Sequence, residues 1–287
     1  MNSVTLSSQP LESESMNDKN SLITGVSNRR LAFADIVDGI RQYPVWSTLA
    51  WQEIRQRYRR SVLGPFWITL TMMATIAGMG PLYATLLKVK ASDFIPYLSL
   101  GLIAWGFLSS LMLDGCQTFT ASDKMIHSVR LPMSLYVFQM IFRNIIIFFH
   151  NILAYVPFAI YLGIHPTWLW LMSIPGMAMV VIAGVPVALI LGIFCARFRD
   201  MQQIVASVIQ LAFFVTPIMW KPELLGSRMF VAKFNPLYLF IEVVRAPVYG
   251  YLPGAKVYLG VAIVTVVLYA LAIPLLVRFR QRIAFWV

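Results

Sequence analysis

A cluster of four arginines is the strongest chemical signal in the chain. Arg55, Arg57, Arg59 and Arg60 lie within six residues, directly before an unbroken apolar run that begins at Pro65. Guanidinium groups donate paired hydrogen bonds to phosphate oxygens, so this cluster favours an anionic partner. Two interpretations are open from these residues alone. The arginines either anchor the chain to lipid headgroups, or they meet an anionic substrate headgroup or a cytoplasmic partner.

A helix lying on the inner leaflet is predicted to carry these arginines. From Val45 to Val62, apolar residues recur at helical spacing, and polar residues, including Gln52 and Glu53, fill the opposite face. That pattern is typical of an interfacial helix. Gly64-Pro65 is expected to end it, since proline lacks an amide hydrogen but is tolerated in the first turn of the next helix.

Composition indicates that the apolar segment after Gly64-Pro65 lies in a membrane. The chain of 287 residues is 59% hydrophobic and 12% charged, with a mean hydropathy of +0.73. Its apolar runs are unbroken rather than alternating, which excludes a β-barrel. We therefore predict an all-α integral membrane protein with six transmembrane helices. The predicted spans are Pro65 to Leu87, Phe94 to Leu113, Leu135 to Leu162, Trp168 to Phe194, Gln203 to Trp220 and Val257 to Val277.

The distribution of Lys and Arg predicts that both termini are cytoplasmic, because cytoplasmic loops carry the excess of positive charge. With the N-terminus inside, the inner segments hold the arginine cluster and then Lys124, Arg130, Arg197, Arg199, Arg278, Arg280 and Arg282. The net charge of +11 follows from this bias and from attraction to anionic lipid. Nucleic-acid binding is not expected.

Three regions are predicted along the chain. Residues 1–32 are rich in serine and lack the apolar core of a signal peptide, so we expect a disordered cytoplasmic tail. Residues 33–64 form the interfacial helix region, and residues 65–287 form the transmembrane domain. The two cysteines, Cys116 and Cys195, are interpreted as structural.

The connection between the second and third predicted spans is too polar to cross a membrane. It contains Asp123, Lys124, Met125, Ile126 and His127, which are predicted to form a short cytoplasmic helix. Such a helix could receive force from a soluble partner. The alternative is a solvated connector.

The last outer segment, Lys221 to Lys256, is too apolar to be a free loop. Asn235 and Pro236 are predicted to be the cap and first residue of a helix that runs to about Arg245, where Glu242 and Arg245 can pair. We expect two short helices here that re-enter the outer leaflet and are buried against protein.

Polar residues also occur inside the third predicted span. Arg143, Asn144, His150 and Asn151 recur along one helical stripe. Asp114 is the nearest candidate partner for Arg143. A proton relay is conceivable, but a structural role is favoured because the other spans offer no chain of buried carboxylates.

No motif of an enzyme is present in the sequence. It contains no nucleophile elbow, no His-Glu-x-x-His pair, no phosphate-binding loop and no metal-ligand cluster. If a nucleotide drives this protein, another chain must bind it.

Four motifs, in order, carry a resemblance to a known family that covers about residues 40 to 287. They are Arg57 to Trp67, Leu131-Pro132, Ala196 to Asp200, and Phe234 to Tyr238. With them the chain resembles the permease subunit of type-2 ABC exporters, and more closely the branch that exports O-antigen, capsule and teichoic-acid polysaccharides.

The resemblance implies a homodimer in the bacterial inner membrane, with two cytoplasmic ABC ATPase subunits that bind ATP and magnesium. No cofactor is then expected in this chain. The implied substrate is a polysaccharide on a polyprenyl pyrophosphate lipid. Asp123 to His127 would be the coupling helix, the arginine cluster would border substrate entry, and the region with Asn235, Pro236, Tyr238, Glu242 and Arg245 would shape the exit.

Aromatic side chains are the candidate lining of a glycan path, because sugar rings stack on aromatic faces. The candidates are Phe66, Trp67, Phe213, Phe214 and Trp220. The alternative is the usual place of aromatic residues at helix ends, in contact with lipid.

Two other classes of protein are open beyond polysaccharide export. One is an ion-coupled secondary transporter. The other is a non-transporting membrane assembly or receptor protein. Within the ABC exporters, a permease for a small drug or lipid is the nearest rival.

Overall fold

The computed structural model describes residues 30–223, 226 and 229–287, and every regular element in this part of the chain is a helix. Most of the predicted tail, residues 1–29, lies outside the described residues. The α-helices are α1 (30–41), α2 (Tyr43–Arg57), α3 (Phe66–Leu86), α4 (Ala91–Gln117), α5 (Asp123–Ser128), α6 (Met133–Leu153), α7 (Val156–Tyr161), α8 (Ser173–Arg197), α9 (Met201–Val215), α10 (Met229–Lys233), α11 (Pro236–Tyr249) and α12 (Ala255–Trp286).

Five segments in the described part of the chain are long and apolar enough to cross a membrane. They are α3, α4, α6 with α7, the segment Trp168–Arg197 that contains α8, and α12. The predicted fifth span corresponds to α9, which has 15 residues. A helix of that length rises about 22 Å, less than the roughly 30 Å of the hydrocarbon core. The all-α membrane architecture is confirmed, and the count of six spans stays a prediction.

Helix α4 is the centre of the packing. Of its most apolar stretch 83% is buried, against 17% for α3 and for α12, and it packs against α3, α6, α8, α9 and α11. Small residues allow close contact with α8, as expected for helices packed in lipid. A Cβ added at Gly115 would lie 3.2 Å from the Cα of Ala188.

Helix α1 joins the beginning of α6 to the end of α12. The carboxylate of Asp35 accepts hydrogen bonds from the backbone amides of Met133 (3.1 Å) and Ser134 (3.0 Å). It therefore caps α6 from another helix and satisfies two of its free N–H groups. Arg280 of α12 lies 3.6 Å from the same carboxylate.

Helix α2 ends earlier than the sequence predicts. It stops at Arg57, well before Gly64-Pro65, and a turn follows in which Arg60 has a φ of 75° and Gly64 a φ of 55°. The backbone leaves helical geometry at Tyr58, with φ −105° and ψ 10°, so the helix ends before Gly64-Pro65 is reached. Helix α2 packs along α6, where the rings of Trp46 and Phe142 are 5.3 Å apart.

Candidate functional site

The four arginines of the cluster are exposed and lie at the junction of α2 and α3. Arg55 and Arg57 belong to the last turn of α2, whereas Arg59 and Arg60 belong to the turn that leads into α3. No carboxylate among the described residues forms an ion pair with any of them. Four positive charges are thus available to an external anion, and their predicted role in headgroup binding stays a prediction.

A charge network joins α2, α4 and α6 next to this junction, and we call it the inner network after the side of the membrane that the sequence predicts for it. The guanidinium of Arg143 in α6 donates to the carboxylates of Glu53 in α2 and Asp114 in α4, the latter at 2.8 Å. Gln139 also donates to Glu53 at 2.8 Å, and Asn144 to Asp114 at 2.9 Å. The pairing of Arg143 with Asp114 is therefore confirmed.

The sequence did not predict the contribution of Glu53 to the inner network. Helical spacing placed Glu53 on the polar face of α2, but α2 lies along α6, so that face is partly covered by protein. His150, from the same polar stripe as Arg143, bonds within its own helix, with Nδ1 2.8 Å from the Ile146 carbonyl oxygen. Both contacts agree with a structural role for the stripe.

The short helix predicted from Asp123 to His127 is present as α5, and its role in coupling stays a prediction. Nδ1 of His127 lies 2.8 Å from the Asp123 carboxylate, with both side chains about half exposed. The hydrogen bond to the Asp123 backbone carbonyl, and then the carboxylate, raise the pKa of His127 above its usual value. Lys124 and His127 are exposed, whereas Ile126 packs against the core and Met125 is half-buried. Helix α5 also contacts α12, so movement of α5 would reach a transmembrane helix.

A second charge cluster, the outer cluster, lies in α11 and is almost completely buried. Arg245 is 1% exposed and donates to Glu242 at 2.6 Å and to the carbonyl oxygen of Pro217 at 2.9 Å. Its guanidinium lies 3.9 Å from the ring centre of Tyr97, and the hydroxyl of Tyr251 donates to Glu242. The predicted pairing of Glu242 with Arg245 is confirmed.

Helix α11 starts where the sequence predicts and ends later. The Asn235 side chain accepts hydrogen bonds from the amides of Leu237 and Tyr238, but the helix continues past Pro247 to Tyr249. Pro247 cannot donate to the Val243 carbonyl. That carbonyl lies against Gly176 of α8, where an added Cβ would be only 2.1 Å from the oxygen. The carbonyl that has lost its helical hydrogen bond is thus covered by α8.

The candidate aromatic residues form two groups rather than one continuous surface. Phe66 and Trp67 are exposed at the start of α3, and Phe214 is exposed at the end of α9. Phe213 packs on Trp105 of α4 with ring centres 5.7 Å apart, and Trp220 is half-buried beyond α9. Among the described residues, no ring contact joins the two groups. Their role in a glycan path stays a prediction.

The fold defines a multi-pass helical membrane protein, with one charge network that joins α2, α4 and α6 and a second charge cluster that is buried in α11. Residues 44–249 match the ABC-2 type transporter family, and the chain belongs to that family. It is therefore a transport subunit, and the resemblance predicted from the four motifs is confirmed.

Individual relatives agree with this assignment. The chain is similar to the O-antigen export system permease protein RfbA of Myxococcus xanthus, with 24% identity over 226 residues, which cover 77% of this chain and 86% of that protein. The protein of the same name from Klebsiella pneumoniae is 23% identical over 188 residues, covering 65% of this chain and 73% of that protein.

Proposed function

We propose that this protein is the transmembrane subunit of an ATP-driven exporter that moves a lipid-linked polysaccharide out of a bacterial cell. It acts as a homodimer in the inner membrane, with both termini in the cytoplasm, and two ATPase subunits bind its cytoplasmic face. The similarity to permease proteins of O-antigen export, over most of both chains, is the observation that carries the proposal.

The arginine cluster supports the anionic part of this substrate. A pyrophosphate linkage carries closely spaced negative charges, and four exposed arginines without ion-pair partners among the described residues are complementary to it. They lie where α2 leaves the membrane surface and α3 enters the bilayer. A lipid-linked substrate can approach that junction from the leaflet while its headgroup stays in water.

The inner contacts support coupling to a separate ATPase. Helix α5 presents Lys124 and His127 to solvent and contacts α12. The inner network connects α2 to α4 and α6. A displacement of α5 by a partner would therefore be transmitted to α12, and through α8 and α4 to the inner network, which reaches α2 and the two arginines of its last turn.

Deletion and complementation in the host test the proposal. Loss of the chain should remove the surface polysaccharide and cause lipid-linked glycan to accumulate inside the cell. Complementation with the Arg59→Ala/Arg60→Ala variant should restore little export, whereas Arg59→Lys/Arg60→Lys should restore part of it, because lysine keeps the charge but not the paired hydrogen bonds.

The control is Arg41→Ala, which removes an exposed arginine at the end of α1 and should leave export unchanged at equal protein levels. Normal surface glycan after deletion of the chain would refute the proposed function. Normal export by the Arg59→Ala/Arg60→Ala variant would refute only the role of the arginine cluster.

A further inference from the structure

A membrane-facing cavity of about 620 Å³ lies between α4, α6, α7, α8 and α11, away from the arginine cluster and the exposed faces of α3 and α9. Leu100 and Ala104 of α4 form part of its floor, and its walls are almost entirely apolar. Phe149, Ile160 and Ile174 line it and are exposed, so the cavity opens to the side, between α6 with α7 and α8.

The dimensions of the cavity fit a lipid chain from one leaflet. Its α8 lining extends from Ser173 to Val181, a rise of about 12 Å at about 1.5 Å per residue. One leaflet of the hydrocarbon core is about 15 Å deep. An apolar cavity that stays empty loses dispersion contacts on every wall. Since its opening faces the bilayer, hydrocarbon chains are the molecules available to fill it.

Two buried polar groups lie at the end of the cavity nearest α11. Tyr155 and Arg245 both line it and are 3% and 1% exposed. Among the described residues, neither Oη of Tyr155 nor Nε of Arg245 has a hydrogen-bond partner. Buried donors without partners are costly. Trp170 lines the same end, and tryptophan and tyrosine typically mark the depth of the lipid headgroups.

We propose that this cavity binds one acyl chain of a phospholipid from the leaflet on the α11 side. An ester carbonyl of the phospholipid lies at the end of the cavity lined by Tyr155 and Arg245, where a small shift of either side chain lets Tyr155 Oη or Arg245 Nε donate to it. The chain extends along α6 and α8 towards Ala104. That leaflet is the outer one in the orientation of the proposed function. The site itself does not depend on that function, because it needs neither an ATPase nor a polysaccharide.

Photochemical labelling of the full-length chain tests the site. The chain is reconstituted in vesicles of phosphatidylethanolamine and phosphatidylglycerol with a trace of phosphatidylcholine that carries a diazirine on one acyl chain. After illumination, the labelled residues are mapped by mass spectrometry. We expect labels to concentrate on the cavity walls, compared with the exposed face of α12.

Ala178→Phe is the variant that blocks the cavity. Ala178 lines the cavity and is exposed, so a larger side chain can enter the open space without a clash. Labelling of the walls should fall about tenfold, which corresponds to about 1.4 kcal/mol of binding. The matched control is Ala262→Phe, at an exposed alanine of α12 outside the cavity, and it should leave the labelling unchanged.

Tyr155→Phe tests the polar end, because it removes only the hydroxyl. Phosphatidylethanolamine that stays bound in native mass spectrometry should decrease about threefold or more, as expected for one lost hydrogen bond.

Several results would overturn the proposal. The first is labelling of the cavity walls in Ala178→Phe that equals labelling in the unchanged chain. The second is an even spread of labels over all exposed helices. The third is labelling by a diazirine polyprenyl phosphate but not by the phospholipid. A disulfide between two copies through cysteines placed at Ile160 and Ile174 would also overturn it, since a second copy would then cover the opening. None of these results bears on export, so failure of the site and failure of the proposed function are distinguishable.

Discussion

The outer cluster pairs one arginine with one carboxylate, and the inner network pairs one arginine with two. The surroundings of the two arginines also differ. In the outer cluster the side chains of Arg245 and Glu242 are 1% and 5% exposed and belong to the same helix. In the inner network Arg143 is 15% exposed, its partners Glu53 and Asp114 are 38% and 30% exposed, and all three lie on different helices. The outer cluster fixes one helix against its neighbours, whereas the inner network connects helices and can rearrange with little desolvation cost.

The largest predicted effect concerns the outer cluster. Arg245→Met should destabilise the protein by about 3–5 kcal/mol, because it leaves the Glu242 carboxylate buried without its counter-ion. Unfolding in a titration with sodium dodecyl sulfate, followed by circular dichroism, measures this loss.

The double variant Glu242→Gln/Arg245→Met is the matched control, since it removes both charges and should recover much of the lost stability. If the single and double variants were equally unstable, the pair would not be the source of the loss.

A smaller effect is expected at the inner network. Arg143→Met should cost about 1–2 kcal/mol, because water reaches both carboxylates that lose their partner. The same titration measures it. We also expect α2 to separate from α6, so that a cysteine introduced at Gln139 reacts faster with a water-soluble maleimide.

Glu53→Gln keeps the shape of the side chain and should give a partial version of both changes. If Arg143→Met lost as much stability as Arg245→Met, the distinction between the inner network and the outer cluster would be removed.

The pairing in the outer cluster was predictable because it is local. Glu242 and Arg245 are three residues apart on a helix whose start is marked by Asn235-Pro236, so spacing alone brings them together. The end of that helix was not predictable, because the helix continues past Pro247 where it packs against α8. Tertiary contacts of this kind leave no periodic pattern in the sequence.

The inner network was only partly predictable, because it depends on tertiary contacts between helices. The sequence offered Asp114, at the inner end of the second predicted span, as the nearest candidate partner for Arg143, but it gave no signal that α2 lies along α6 and supplies Glu53. The end of α2 was also not predicted, because the backbone leaves helical geometry at Tyr58, where the sequence carries no proline or glycine. The cap that Asp35 provides for α6 was missed because it joins residues far apart in the chain.

The smallest effect is expected for the most exposed pair, Asp123 and His127 in α5. Because the hydrogen bond to the Asp123 carbonyl and the carboxylate raise the pKa of His127 in the folded chain, protonation of His127 stabilises α5. This stabilisation is fully present below the unfolded pKa of about 6.5 and is lost as the pH rises through the higher folded value.

Titration of His127 by nuclear magnetic resonance should give a midpoint above that of an unfolded peptide. In Asp123→Asn the midpoint should be lower, since the carboxylate is gone while the backbone carbonyl remains. An equal midpoint in both proteins would show that the carboxylate has no part in the shift.

The most direct test of the central claim is transport in sealed vesicles that contain the purified chain and lipid-linked polysaccharide. The account predicts that the glycan crosses the membrane only when the cytoplasmic ATPase subunit and ATP with magnesium are added, and that a hydrolysis-deficient ATPase abolishes the movement. Transport of the same glycan by the chain alone, without an ATPase, would contradict the account.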